Sequence, residues 1–220
     1  MNQPFPNRAE AGKQLARKLA RYARCPDVLV LALPRGGVPV ASEVARALEA
    51  PLDVFVVRKL GVPSHEELAM GAIASGGVRV LNDSVVDSLG ITAEVIDAVA
   101  RREERELARR ERAYRDDRPA PTVRGRVVIL VDDGIATGST MYAAIAALRQ
   151  QGAGRIVVAT PTVARTTYDE MRPEADDVVA VLMPEEFYGV GQWYEDFSQT
   201  TDEEVRALLA LSAQPSQPTS

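Results

Sequence analysis

The sequence predicts an α/β fold, a parallel sheet flanked by helices. Short runs of β-favouring apolar residues recur along the chain, as at residues 27–33, 128–131 and 178–182. Helix-forming stretches with one-sided hydrophobic spacing separate them. The first quarter reads strand–helix–strand, and a crossover connection of that kind joins parallel strands.

Asn7 is the N-cap expected for a helix reaching to about Tyr22, with Leu15, Ala16 and Leu19 on one face. Residues 27–33 form a buried strand, broken by Pro34-Arg35-Gly36-Gly37. Helix resumes at Val40 and runs to Leu48, and residues 53–57 form a second strand that Arg58-Lys59-Leu60-Gly61 ends. From Val62 to Leu81 the alternation lapses. Pro63-Ser64-His65-Glu66-Glu67 is loop-like, and residues 70–75 and 78–81, parted by Gly76-Gly77, are expected to form a short hairpin beside the active face. Thr92 to about Asp117 is a long charged helix, ended by Pro119 and Pro121. Its Arg101-Arg102-Glu103-Glu104-Arg105-Glu106 run reads as a solvated face with i,i+4 pairs. Residues 155–160 and 178–182 are two more buried strands, with a helical stretch at 165–171 between them. Residues 213–220, rich in Ser, Pro and Gln, are expected to be a disordered tail, and residues 1–212 a single domain.

The 220 residues suffice for one α/β domain with a sizeable core. A net charge of -5 argues against nonspecific nucleic-acid binding, which Lys and Arg drive. Cys25 is the single cysteine and cannot form an internal disulfide; it reads as a strand-edge or buried thiol. No segment approaches the roughly 20 apolar residues of a membrane helix, and no secretory signal pattern opens the chain. The expectation is a cytoplasmic protein with neither membrane nor nucleic-acid partner.

The most informative stretch is Val128-Ile129-Leu130-Val131-Asp132-Asp133-Gly134-Ile135-Ala136-Thr137-Gly138-Ser139-Thr140. A strand runs into two adjacent carboxylates, then a small hydroxyl-rich loop, then a helix start. Backbone N–H groups and the positive end of a helix favour a phosphate there. Adjacent acids at a strand end are costly unless something pairs with them. A ligand that carries a phosphate together with hydroxyls or a metal suits both features, and a phosphorylated sugar is the simplest. The loop lacks the lysine and spacing of a nucleotide P-loop.

This stretch closely resembles the phosphoribosyl pyrophosphate (PRPP) motif of type I phosphoribosyltransferases. The resemblance implies that Asp132 and Asp133 hold the ribose 2- and 3-hydroxyls and contact magnesium through water or PRPP. It implies that Ala136, Thr137, Gly138, Ser139 and Thr140 hold the 5-phosphate. Pro34-Arg35-Gly36-Gly37 resembles the family's pyrophosphate loop: Gly36 and Gly37 expose N–H groups, and Arg35 can pair bidentately with an anionic oxygen. Val57-Arg58-Lys59 resembles the basic strand end ahead of the family's catalytic loop, so Arg58 and Lys59 would neutralise the leaving pyrophosphate and residues 60–70 would form a mobile lid. His65 is read as a solvent-exposed loop residue, while Glu66 and Glu67 resemble lid acids of adenine-type members, a resemblance that implies help with a proton transfer.

With Glu67-Leu68-Ala69-Met70-Gly71-Ala72-Ile73, the resemblance extends to a group of stand-alone bacterial predicted phosphoribosyltransferases, from about Asp27 to Phe197. It implies a small hood built from the N-terminal helix and residues 183–200. There Phe187, Tyr188, Trp193, Tyr194 and Phe197 crowd together. Phe187, with Tyr188 second, would cover a nucleobase; a small satellite core is the equal alternative. Members acting on 6-oxopurines carry an acid where this chain has Ala136, so hypoxanthine or guanine fits poorly. The expected activity is magnesium-dependent transfer of phosphoribose from PRPP to a nucleobase, by a homodimer. The alternative is a regulator of this fold that senses PRPP or nucleotides without catalysis.

Overall fold

The computed structural model describes residues 3–63, 65–115 and 118–212, without the Glu66 side chain. The 213–220 tail lies outside the described residues.

Asn7 caps α1 (Arg8–Lys18), its side chain accepting from the Glu10 N–H. A 3-10 turn (Ala20–Tyr22) prolongs the helix to the expected end. β1 (Val28–Ala32) leads to α2 (Gly37–Leu48), which begins three residues ahead of Val40. Pro39 is tolerated because it sits in the first turn, where an N–H has no helical acceptor. β2 (Leu52–Val54) follows. After an antiparallel excursion come β6 (Val127–Val131), α5 (Ser139–Gln150), β7 (Arg155–Thr162), α6 (Arg165–Met171) and β8 (Asp177–Leu182). All five strands pair parallel, in the order β2-β1-β6-β7-β8. Alternate strand residues feed two cores. Val28, Val30, Ile129 and Val131 pack with α1 and α2, while Leu29, Leu31, Val128 and Leu130 pack with α5. Strands covered on both faces are apolar throughout, which is why they were legible as continuous runs.

The chain moves outward from β1 to β2, then returns to place β6 on the other side of β1. The strand order therefore reverses between β1 and β6, and ligands of open α/β sheets bind beyond the carboxyl ends at such a point. Ala32 and Val131 are register partners there, and the Leu33 N–H donates to the Val131 carbonyl at 2.9 Å. Two of the three sequence-predicted loops thus leave the sheet side by side.

The expected 53–57 strand is two strands. The Phe55 N–H still donates to Ala32, but the Val56 N–H turns to the buried Ser75 hydroxyl at 2.8 Å. From there β3 (Val57–Val62) joins β4 (His65–Ala74) and β5 (Val78–Leu81) in a separate antiparallel sheet. An alternating pattern does not state which sheet a residue joins. The expected hairpin is therefore present but longer, and most of the 60–70 segment read as a lid is regular β-structure. Only Pro63 and Ser64 lie between the strands, and Ser64 is outside the described residues. His65 opens β4 and is exposed.

The chain continues through α3 (Asp83–Leu89) into α4 (Ala93–Arg115) and ends with α7 (Asp202–Ser212). The charges of α4 are more than a solvated face. Glu103 accepts from Arg58 of β3 at 2.7 and 2.9 Å, Glu104 accepts from Arg79 of β5, and Arg115 donates to Asp53 of β2. Cys25 is exposed in the turn ahead of β1, not buried. No helix among the described residues is long and apolar enough to cross a membrane.

Candidate functional site

Beyond the switch point lies a cleft of about 170 Å³, lined by Asp132, the 134–140 loop, Lys59 and Val190. Its floor is the start of α5. The N-cap is Gly138 at φ 73, left-handed backbone that favours glycine, and no side chain among the described residues caps the first-turn N–H groups. A Cβ at Gly138 would also meet Met171 at 2.9 Å and Tyr142 at 3.0 Å. Upstream, the Ile135 N–H donates to Thr162 and the Ala164 N–H to Ile135, while Thr167 donates its hydroxyl to the Ala136 carbonyl. The loop is thus pinned to the ends of β7 and α6, leaving Ala136, Thr137 and Ser139 exposed with the Thr137 and Ser139 hydroxyls 3.1 Å apart. Thr140 begins the helix beside them, half-buried. The arrangement is a concave donor-rich surface that suits an anion.

The two acids differ. Asp132 lines the cleft half-buried, and its Oδ1 accepts the Asp133 N–H at 2.9 Å. Burial, then the neighbouring Asp133 charge, pushes its carboxyl well above the usual range. Asp133 turns toward the hood, where its Oδ2 accepts from Arg8 Nε at 2.8 Å. Burial, then the Asp133 charge, pushes the Tyr194 phenol upward, and its hydroxyl donates to the Asp133 carbonyl at 2.5 Å.

Gly36 and Gly37, which follow a cis Pro34–Arg35 peptide, abut these acids. Gly36 has ordinary helical dihedrals, φ -60 and ψ -32, so its glycine answers to space alone. A Cβ there would lie 2.7 Å from the Asp133 carboxyl carbon. Gly37 opens α2 and donates to the Leu33 carbonyl at 3.1 Å.

Lys59 reaches the cleft from the facing hairpin. Arg58, its neighbour along β3, points to the opposite face, as successive strand residues must. Its guanidinium is taken by Glu103, so the structure does not bring Arg58 to the cleft. Arg35, expected at the pyrophosphate, pairs with Asp202 of α7 at 3.7 Å, and the Tyr114 hydroxyl meets the same carboxylate at 3.1 Å. Glu67 lies exposed on β4, away from the cleft lining. In the hood, Phe187 stacks on Trp193 with centroids 6.3 Å apart, and Tyr188 is 86% exposed. Neither lines the cleft; Val190, which sequence reasoning passed over, does. Tyr194 joins Phe5 and Ala11 in a satellite core, the alternative the aromatic cluster left open.

Among the described residues no group of three or more acids, histidines or cysteines is placed to hold a metal. One cleft carboxylate fits a magnesium ion carried mainly by substrate oxygens and water.

Comparison with known proteins agrees with the fold and the motif. A family model described as the phosphoribosyl transferase domain matches residues 3–195. A Mycobacterium tuberculosis H37Rv protein, provisionally named a phosphoribosyl transferase, is 49% identical over 205 residues, 93% of this chain and 46% of the relative. The chain thus spans about half the length of that relative. TT1426 from Thermus thermophilus superposes with a TM-score of 0.85 at 41% identity, covering 96% of this chain and 100% of that one. A Neisseria gonorrhoeae hypothetical protein solved with bound ppGpp shares the fold alone, with a TM-score of 0.50 at 15% identity over 96% of this chain and 98% of that one. On the match to residues 3–195, the chain belongs to the phosphoribosyl transferase domain family.

Proposed function

We propose that the protein transfers phosphoribose from PRPP to a nucleobase and releases pyrophosphate. The carrying observation is that one cleft combines the uncapped start of α5, the Asp132 carboxylate and Lys59. The 5-phosphate would rest on the N–H groups of residues 136–140, with the Thr137, Ser139 and Thr140 hydroxyls beside it. Asp132 would accept hydrogen bonds from the ribose hydroxyls. Lys59, facing them across the cleft, would meet the diphosphate as negative charge grows on it. Magnesium, when bound with PRPP, would help neutralise that diphosphate. Val190 and the β3–β4 hairpin would narrow access to water.

The direct test incubates the protein with PRPP, magnesium and a panel of purine and pyrimidine bases and measures pyrophosphate. Release that depends on one base supports the transferase. Base-independent release points to hydrolysis and overturns it. Lys59→Ala is expected to lower turnover about 100-fold while weakening PRPP binding far less, since the lysine acts on charge that develops in the transition state. Equal losses in both would remove Lys59 from that role.

One observation favours a second reading, a sensor of PRPP or nucleotides without catalysis. Arg35, Arg58 and Asp133, all expected at the substrate, are engaged with Asp202, Glu103 and Arg8. Tight PRPP binding with no pyrophosphate from any base would select it.

A further inference from the structure

The segment ahead of α1 is stitched to the hood. The Phe5 N–H donates to the Trp193 carbonyl and the Glu195 N–H to Phe5, both at 2.8 Å, and the Asp196 N–H donates to Pro6 at 3.0 Å. This stitching delivers Arg8 to the motif. Its Nε meets the Asp133 carboxylate, another guanidinium nitrogen donates to the Ser198 carbonyl at 2.7 Å, and its central carbon lies 4.0 Å from the Phe197 ring centroid. The pair is nearly closed off from solvent, with the Arg8 side chain 11% and the Asp133 side chain 13% exposed. A planar guanidinium can satisfy a carboxylate, a carbonyl and a ring face together, which an ammonium does not. Gly36 and the Tyr194 hydroxyl hold Asp133 from two further sides. Asp132 lines the cleft, and Asp133 does not.

We propose that the adjacent aspartates divide the work: Asp132 faces the ligand, and Asp133, gripped by Arg8, fastens the hood and the N-terminal segment to the phosphate-binding loop. Arg8 is then a positioning residue for the cleft, acting through Asp133. What the cleft binds rests on the PRPP reading; the fastening does not.

The test compares wild type, Arg8→Met, Arg8→Lys, Asp133→Asn and the Arg8→Met/Asp133→Asn double variant. Three quantities are read: magnesium–PRPP affinity by calorimetry, thermal unfolding, and emission from Trp193, the chain's single tryptophan. Arg8→Met is expected to bind about tenfold more weakly with red-shifted Trp193 emission, and Arg8→Lys to recover part of the loss. The double variant should be no weaker than the weaker single, because both remove one interaction. Arg8→Met binding within about twofold of wild type, or single losses that multiply in the double, would overturn the proposal. If Arg8→Met does not fold, Phe197→Leu replaces it, removing the ring beneath the guanidinium with both aspartates intact. It should bind about threefold more weakly, and unchanged affinity again overturns the idea. A wild type that binds no PRPP overturns the functional reading instead. The thermal cycle then decides: overlapping losses uphold the fastening, and additive losses end it.

Discussion

Asp132→Asn is expected to weaken PRPP binding about 100-fold, the scale of losing charge-assisted hydrogen bonds to a ligand, while raising the melting temperature. Both effects follow from one placement. Asparagine keeps the oxygen that accepts the Asp133 N–H, so the turn is preserved. The variant loses the charge and exchanges the second acceptor oxygen for an NH2 donor. That charge sits half-buried beside Asp133, and the folded protein opposes its ionisation. The folded state therefore holds the Asp132 proton more tightly than the unfolded chain does. Its contribution to stability falls as pH rises from the ordinary aspartate value, about 3.9, and the full penalty applies above the raised folded value. Asp132→Asn removes that penalty. In magnesium-free buffer the variant should melt above wild type at pH 8, by about 2–4 °C for each kcal/mol relieved. The gap should close as pH falls toward about 4, where aspartate in the unfolded chain is itself half protonated. An Asp132→Asn protein that binds PRPP like wild type would place the carboxylate outside the site, and one that melts lower at pH 8 would mean that the fold does not oppose its charge.

The contrast between the two aspartates marks where sequence reading stopped. The motif's strand, its acids and its helix start were legible because they are consecutive: each follows from local pattern and loop chemistry. So was the parallel sheet, whose strands are apolar on both faces. Arg8 stands 125 residues from Asp133, and no local pattern links them. Arg58 and Lys59 are neighbouring cations, both expected at the leaving pyrophosphate, yet the strand's alternation sends one to Glu103 and the other to the cleft. That distinction requires knowing that β3 leaves the parallel sheet. The helix α7 was missed despite a readable signal. Thr201 and Glu204 form a reciprocal capping box, with Glu204 N–H donating to the Thr201 hydroxyl and Thr201 N–H to the Glu204 carboxylate. That helix supplies Asp202, which draws Arg35 away from its expected place. The aromatic hood was legible as a cluster but not as a surface. Nothing local separates Tyr194, buried on Phe5, from Tyr188, turned to solvent.

Arg115→Ala is expected to be the most destabilising single change outside the cleft, by about 3–5 kcal/mol, the usual loss when one partner of a buried ion pair is removed. The Arg115 side chain is 6% exposed at the end of α4. It donates to Asp53 at 2.8 Å, to Glu111 at 2.8 Å and to the Val54 carbonyl at 2.6 Å. Truncation leaves two carboxylates and a strand-end carbonyl without their shared donor, and it opens a void that alanine does not fill. The loss falls where β2 ends and the chain crosses to β3, shortly before Lys59. A fall of about 10 °C in melting temperature is expected for a chain of this length. The damage should also reach the cleft without touching it, since the hairpin carrying Lys59 is held to α4 by side-chain pairs and packing. Hydrogen exchange supplies the check. Amides of residues 54–62 should lose protection in Arg115→Ala more than those of β7, on the far side of the sheet. Equal loss in both strands would mean that α4 stabilises the domain globally and does not buttress the hairpin.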